Sequence, residues 1–270
     1  MKKQFKLGVI GCGFTASSIL RGVVLSDFIR EKKIIVSDVS EEKLDDIGYL
    51  GVNTTTDNKF VAENSEYLII AVKAQNFSGV VKSLKGYCPE KVISVMGGVT
   101  KNTIKNALGV GAIKVARCLP NLPCSIGSGA IGIDMTDFNK NTDDTDFISN
   151  IFDKLGTVVS VDESKLDAVS GLSVSGPAYT FMFIDSLIEA GVKQGLPRSE
   201  AKILAIQTVL GSAELAQREE QTVDELLMQV CNNGGAGIDA VKIFEEKGFR
   251  NIVSEAVDAC VKRVKGAQDK

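Results

Sequence analysis

The chain has 270 residues, a net charge of −3 and 44% hydrophobic residues, a balance that fits a globular protein with a sizeable core in one domain or two. No basic patch stands out, so nucleic acid and anionic membrane surfaces are not expected partners. Six cysteines with no C-x-x-C pair, and no histidine at all, give no ligand set for a metal, so none is expected. Scattered thiols of this kind suit the reducing cytoplasm.

The N-terminal "MKKQFKLGVIGCG" mimics a secretory leader. Lys6 interrupts it, and the apolar run that follows is short and glycine-rich, so it reads as a first strand. No apolar run reaches the roughly twenty residues of a membrane span. Short apolar runs then recur at 6–11, 33–38, 67–72, 91–96 and 113–118, separated by helix-length segments. Runs of this type, bounded by turn signals, suggest buried parallel strands in βαβ units. Two further strands are expected at 129–134 and 157–162, with an acidic helix between them.

After about residue 163 the strand signals end and helical periodicity takes over. Helices are expected near 164–172, 177–194, 198–219, 222–231, 238–247 and 249–265. In "GLP", Gly195 ends one helix and Pro197 begins the next. The expected architecture is an α/β Rossmann-type domain over 1–163 followed by an all-α domain over 164–270. The helix beginning "PAYTFMFIDSLIEAG" is apolar nearly all round. Such a helix is enclosed on every side, by its own domain or by a second subunit.

Directly after the first strand, "GVIGCGFTASSI" carries Gly11-x-Gly13-x-x-Ala16. The first glycine allows the tight turn, the second a close approach to a pyrophosphate, and the alanine close helix–strand packing. The helix start then offers free N–H groups to phosphate. Asp38 ends the second strand, where a carboxylate accepts ribose hydroxyls and repels a 2′-phosphate; this favours NADH over NADPH. Nearby Ser37, Ser40 and Lys43 keep a phosphate-binding alternative open. "AVKAQ" (71–75) and "GGVT" (97–100) end later strands at the same edge. Lys73 there can reach a ligand, and the glycines let backbone approach a nicotinamide ring. Near the C-terminus, "NNGGAGIDAV" (232–241) is a glycine-rich turn running into a helix, an arrangement suited to cradling an anion.

Together with "RCLPNLP" (117–123), "LDAVSGLSVSGPAYTF" (166–181), "EAGVKQGLP" (189–197), "AIQTVLGSAEL" (205–215) and "FEEKGFRNIVSEAVDA" (244–259), these motifs resemble the pyrroline-5-carboxylate reductase family over essentially the full length. The resemblance implies NAD(P)H-dependent reduction of 1-pyrroline-5-carboxylate to proline, a homodimer through the helical domain, and rings built of such dimers. It implies cofactor contacts at Ile10, Gly11, Cys12, Gly13, Phe14, Thr15, Asp38, Asn58, Val72, Lys73 and Gly97. It also implies substrate contacts at Glu220, Asn232, Asn233, Gly234, Gly235, Ala236 and Gly237. No side chain is assigned as proton donor.

Some positions depart from the family pattern. Asn232 and Asn233 replace the loop's serine and proline, and Gly237 replaces its last threonine, whose hydroxyl lies near the ring nitrogen in the family. Val174 stands where glycine is commoner, and Ala74 where proline is usual. These departures keep two alternatives open: a different cyclic imine or imino acid as substrate, or a weakened nucleotide-binding paralogue. The β-hydroxyacid dehydrogenases share the domain plan but use a lysine on the interdomain helix, and "SGPAYTFMFIDS" has none.

Overall fold

The computed structural model describes residues 3–87, 89–109, 113–138, 142–232 and 235–268. The first half alternates strands and helices: β1 (Phe5–Ile10), α1 (Phe14–Leu25), β2 (Ile34–Ser37), α2 (Glu41–Gly48), β3 (Asn53–Thr55), α3 (Asn58–Asn64) and β4 (Ser65–Ile70). There follow α4 (Phe77–Ser83), β5 (Lys91–Ser94), α5 (Lys101–Leu108), β6 (Lys114–Leu119), β7 (Gly129–Asp134), α6 (Asp143–Asp153) and β8 (Gly156–Ser160). One sheet takes all the strands in the order β3-β2-β1-β4-β5-β6-β7-β8. The first six have the order of a dinucleotide-binding fold and run parallel; β7 turns antiparallel to β6, and β8 runs parallel to β7.

Alternation along the strands divides the core between the two faces. Tyr67 and Ile69 of β4 pack with Ile19, Leu20, Ile148 and Phe152, from α1 and α6. Leu68 and Ile70 pack with Val61, Val80 and Ile104, from α3, α4 and α5. Of the eight strands, the sequence signals seven. The missing one is β3, only three residues long, with Asn53 and Thr54 exposed at the sheet edge and no apolar run to mark it.

The expected helix 164–172 is also corrected. A 3-10 turn (Glu163–Lys165) leads into a short α7 (Leu166–Val169) and then a π-helical turn over Ser170–Val174, closed by Ser175 N–H donating to Ser170 O at 3.0 Å. The Asn121 amide donates to Ser173 O at 3.1 Å, giving a carbonyl of the widened turn an outside partner.

The remaining helices are α8 (Gly176–Lys193), α9 (Arg198–Arg218), α10 (Val223–Asn232), α11 (Gly237–Glu246) and α12 (Phe249–Gln268). Two compact units result: one runs to Ser175 and includes the chain from Cys260 on, and the other is Gly176–Ala259. In the second, α8 ends as expected at Gly195, whose φ of +96° suits glycine, and Pro197 caps α9. The α8–α9 pair meets at Gly191, where an added Cβ would lie 3.1 Å from that of Ala201. The buried core of this unit is Ile188, Ala201 and Ala205. The apolar surface of α8 is not enclosed by its own chain: Phe181 is 54% and Met182 73% exposed. Among the described residues no helix is long and apolar enough to cross a membrane.

Candidate functional site

At the C-terminal edge of the sheet, β1 ends in a turn that only glycine fits. Gly11 has φ +97°, and a Cβ there would lie 2.7 Å from Ala71 O. Its N–H donates to Ser37 O at 2.7 Å, while Ile10 O accepts from Ala71 N–H, so the turn is pinned to β2 on one side and β4 on the other. Gly13 caps α1 and has open space where a Cβ would stand. No side chain caps α1, and no acidic residue lies in its first turn. The helix start thus presents unclaimed N–H groups and the positive end of its dipole toward open space, the arrangement that holds a pyrophosphate. Phe14 is exposed beside it and Thr15 half-buried.

Asp38 lies next to this turn with its carboxylate drawn inward. It accepts from Cys12 N–H at 2.7 Å and from Ser40 N–H at 3.0 Å, and Lys43 Nζ is 3.9 Å away. The carboxylate therefore shapes the phosphate turn and places negative charge at the end of β2. Burial, with the Asp38 charge, outweighs a Ser17 hydrogen bond and pushes the Cys12 thiol up, which keeps it neutral beside the phosphate position.

Asn58, expected to face the cofactor, is engaged as a brace: Ser37 Oγ donates to its Oδ1 at 2.7 Å and its Nδ2 donates to Ser83 Oγ at 2.9 Å. Val72 packs at the Gly11 turn. Lys73 is exposed, and among the described residues no ion pair engages it. Gly97 is exposed with open space around it, and Gly98 takes φ +73°. These residues line one sheet edge, as the sequence leads one to expect. Beside the α1 start, Phe14, Thr15 and Ser18 and the loop Pro120–Leu122 border a cavity of about 180 Å³.

The supports of this edge were not read as such from the sequence: Ser37, expected as one possible phosphate ligand, is instead turned inward onto Asn58. Ser37 and Ser94 are fully buried at the ends of their strands. Ser94 Oγ accepts Met96 N–H at 3.3 Å at the start of the 95–100 loop. A serine closing an otherwise apolar run was the available signal. Arg117, Glu163, Lys101 and Asp134, which hold the far end of that loop, gave none.

The expected substrate residues lie in the helical unit. Glu220 is exposed between α9 and α10, and Asn232 closes α10. Asn233 and Gly234 lie outside the described residues. Gly235 and Ala236 are exposed; Ala236 caps α11 without a side-chain hydrogen bond, and Gly237 is the first helical residue. Ile238 N–H donates to Gly235 O at 3.5 Å and Asp239 N–H to Ala236 O at 3.2 Å, so two N–H groups of the helix start are partly occupied within the turn. A Cβ at Gly237 would lie 3.3 Å from Val230 Cγ1, a close but adjustable fit.

Comparison with known proteins bears on both units. Residues 6–98 match a family described as NADP oxidoreductase, coenzyme F420-dependent, and residues 163–267 match pyrroline-5-carboxylate reductase dimerisation. The helical unit is thus a dimerisation domain of that type. The pyrroline-5-carboxylate reductase of Methanosarcina acetivorans is 36% identical over 263 residues, 96% of this chain and 97% of that protein. The structure of a pyrroline-5-carboxylate reductase from Coxiella burnetii is 33% identical and superposes with a TM-score of 0.87 over 99% of each chain. The pyrroline carboxylate reductase of Plasmodium falciparum, solved with NADP bound, is 28% identical with a TM-score of 0.85 over 99% of this chain and 100% of that one. Likeness of this degree along nearly the whole chain, in sequence and in fold alike, makes this protein a member of the pyrroline-5-carboxylate reductase family.

Proposed function

We propose that this protein reduces 1-pyrroline-5-carboxylate to L-proline, the closing step of proline formation, with NADH or NADPH as reductant. The observation that carries the reading is the uncapped α1 start behind the Gly11–Gly13 turn, a fitted dinucleotide seat in a chain of this family. Ile10 to Thr15, Asp38, Asn58, Val72, Lys73 and Gly97 would hold the cofactor, which when bound supplies a hydride to the imine carbon. Glu220 and the 232–237 turn would hold the substrate, its carboxylate on backbone N–H groups at the head of α11.

The chemistry makes modest demands on the side chains. Hydride addition to a protonated C=N carbon yields the secondary amine directly, with the N–H proton already in place. A ring nitrogen protonated in water before binding therefore needs no histidine, and the chain has none. The protein's task is to fix the substrate carboxylate and exclude misaligned poses. NADH is the preferred reductant on this reading, because an acidic residue at the end of the second strand disfavours a 2′-phosphate, and Asp38 holds that place. The active form is a homodimer through the helical unit, with rings of dimers as a higher assembly, and five free thiols among the described residues fit a cytoplasmic location. No nucleic acid or membrane enters the scheme.

Loss of reduced-cofactor absorbance on adding 1-pyrroline-5-carboxylate, matched mole for mole by proline, is the expected result. A cofactor that binds without turnover would overturn it. Light scattering reads the assembly, and a lower KM for NADPH than for NADH would reverse the cofactor preference.

One observation favours a second reading, another cyclic imine or a weakened activity. Gly237 offers no hydroxyl where the family resemblance implies one. Restoring it as Gly237→Thr should raise kcat on 1-pyrroline-5-carboxylate about tenfold, one hydrogen bond to a developing charge being worth about 1.5 kcal/mol. Val230 must yield by a few tenths of an ångström. An unchanged kcat with intact folding would mean that the turn works through its backbone alone.

A further inference from the structure

The loop after β5, residues 95–100, leads into α5 and carries Gly97 and Gly98 at the cofactor edge. Its near end is tied by Ser94 Oγ and by Val95 N–H donating to Ile70 O at 3.2 Å. Its far end is held from a distant part of the chain. Glu163 Oε1 accepts the backbone N–H of Lys101, the first residue of α5, at 2.7 Å, and Nη1 of Arg117 at 2.9 Å. Lys101 Nζ donates to Asp134 Oδ1 and to Thr136 Oγ1, both at 2.5 Å, so backbone and side chain of one residue are fixed together. Arg117 is 2% exposed, yet among the described residues its Nε and Nη2 have no hydrogen-bond partner. A buried guanidinium with one edge unpaired is a poor source of stability. The edge that is paired points to another use.

We propose that Glu163, oriented by Arg117, is a positioning residue for hydride transfer: it sets the start of α5 and with it the 97–100 backbone beside the reactive ring of the cofactor. The inference rests on the reading of that loop as a cofactor contact. Glu163 touches neither cofactor nor substrate in this scheme. It acts through the Lys101 amide, and its loss removes the side-chain acceptor on that amide, leaving the end of a six-residue loop with a glycine at positive φ held by the Lys101 side chain and the Thr100 cap. Misplacement of the ring by a fraction of an ångström penalises transfer far more than it penalises binding of the distant adenosine end.

The test uses the full-length protein carrying Glu163→Ala, Glu163→Gln or Arg117→Lys. Expected for Glu163→Ala are unchanged affinity for ADP-ribose, which lacks the nicotinamide, and an altered emission lifetime of the bound reduced cofactor. A kcat at least tenfold lower should accompany a larger isotope effect from cofactor deuterated at the transferred position. Glu163→Gln, which keeps an acceptor oxygen, should recover most of the lifetime and rate; Arg117→Lys, which keeps the charge but not the placement of the Nη1 donor, should fall between. Should Glu163→Ala not fold, Glu163→Asp, shorter by one methylene, gives the same comparison. Unchanged lifetime and isotope effect in a folded variant would overturn the proposal, as would a parallel loss of ADP-ribose affinity. If the wild-type protein binds cofactor but turns over no imine, the proposed function fails, and the emission lifetimes alone decide the role of Glu163.

Discussion

The sheet unit and the helical unit have similar proportions of apolar residues in sequence but use them in opposite ways. In the sheet unit, both faces of the sheet are covered by the chain's own helices, and large side chains such as Ile19, Leu20, Ile69 and Phe152 have essentially no exposure. In the helical unit the core cluster among the described residues is Ile188, Ala201 and Ala205, while Phe181, Met182, Ile203, Leu210 and Ile252 each stand more than half exposed. A soluble monomer rarely presents so much apolar side chain. Fully burying one such side chain is worth about 1.5–3 kcal/mol, so several together can drive association. The contrast teaches that one unit is complete in a single chain and the other is half of an object, in keeping with the dimerisation domain it matches.

The comparison breaks most visibly at Met182, which is 73% exposed. Met182→Glu would place an unpaired carboxylate in the interface, at a cost of several kcal/mol. The expected outcome is a halved mass by light scattering and kcat/KM at least a hundredfold lower, with cofactor-induced protection of the sheet unit retained. A variant still dimeric and active would remove α8 from the interface. Gly11→Ala should do the converse. A methyl 2.7 Å from Ala71 O at φ +97° adds strain and overpacking of about 1–3 kcal/mol each, raising the cofactor Kd about a hundredfold. The mass should not change; a tight-binding Gly11→Ala protein would show that the turn does not seat the pyrophosphate.

The same contrast explains what could be read from the sequence. The Gly11-x-Gly13 turn is a local signal, because a positive φ and an absent Cβ are properties of single residues. The helical rhythm after residue 163 was equally plain, but the enclosure expected for the apolar α8 is not supplied by its own chain, which leaves Phe181 and Met182 exposed. Three kinds of feature were not legible. β3 is too short and polar to leave a pattern. The π turn at 170–174 differs from an α-helix by one hydrogen-bond offset. Ion pairs such as Arg117–Glu163 and Lys101–Asp134 join residues 46 and 33 positions apart, and no spacing rule links them. Asp38 was recognised, but its bond to Cys12 N–H depends on how β2 meets the phosphate turn.

That bond sharpens the comparison within the sheet unit, since it gives Asp38 two tasks. Asp38→Asn keeps an acceptor for Cys12 N–H but removes the charge that, on the proposed reading, would repel a 2′-phosphate. The ratio of kcat/KM for NADPH over NADH should rise about tenfold, an electrostatic difference near 1.4 kcal/mol. An unchanged ratio with weaker binding of both cofactors would assign Asp38 to the turn alone.

The smallest expected effect tests whether the sheet unit carries its own stability, independent of any partner. At the edge opposite the cofactor seat, Asp144 accepts from Tyr67 and from Lys91, the latter at 2.6 Å. Burial works to raise the Asp144 pKa, but the Lys91 and Tyr67 hydrogen bonds outweigh it and hold the carboxyl below its usual 3.8. Burial, reinforced by Asp144, pushes the Tyr67 phenol well above its usual 10.0. A depressed carboxylate adds stability that is present above its unfolded pKa and lost as pH falls through the folded one. A raised phenol adds stability that is present below its unfolded pKa and lost as pH rises beyond it. The cluster therefore stabilises the unit across the neutral range and weakens both in acid, as Asp144 protonates, and in alkali above 10. Asp144→Asn should lower the unfolding free energy by about 1–2 kcal/mol at pH 7, since both partners are largely shielded from solvent. The gap should narrow in urea titrations as the pH falls below 3.8 and the Asp144 carboxylate protonates. It should also be the same at low and high protein concentration, because the cluster belongs to the unit that its own chain completes. A gap that stays constant as the pH falls would assign the loss to the Tyr67–Phe147 stack and not to the charge, and one that varies with concentration would place the sheet unit, too, under the control of the dimer.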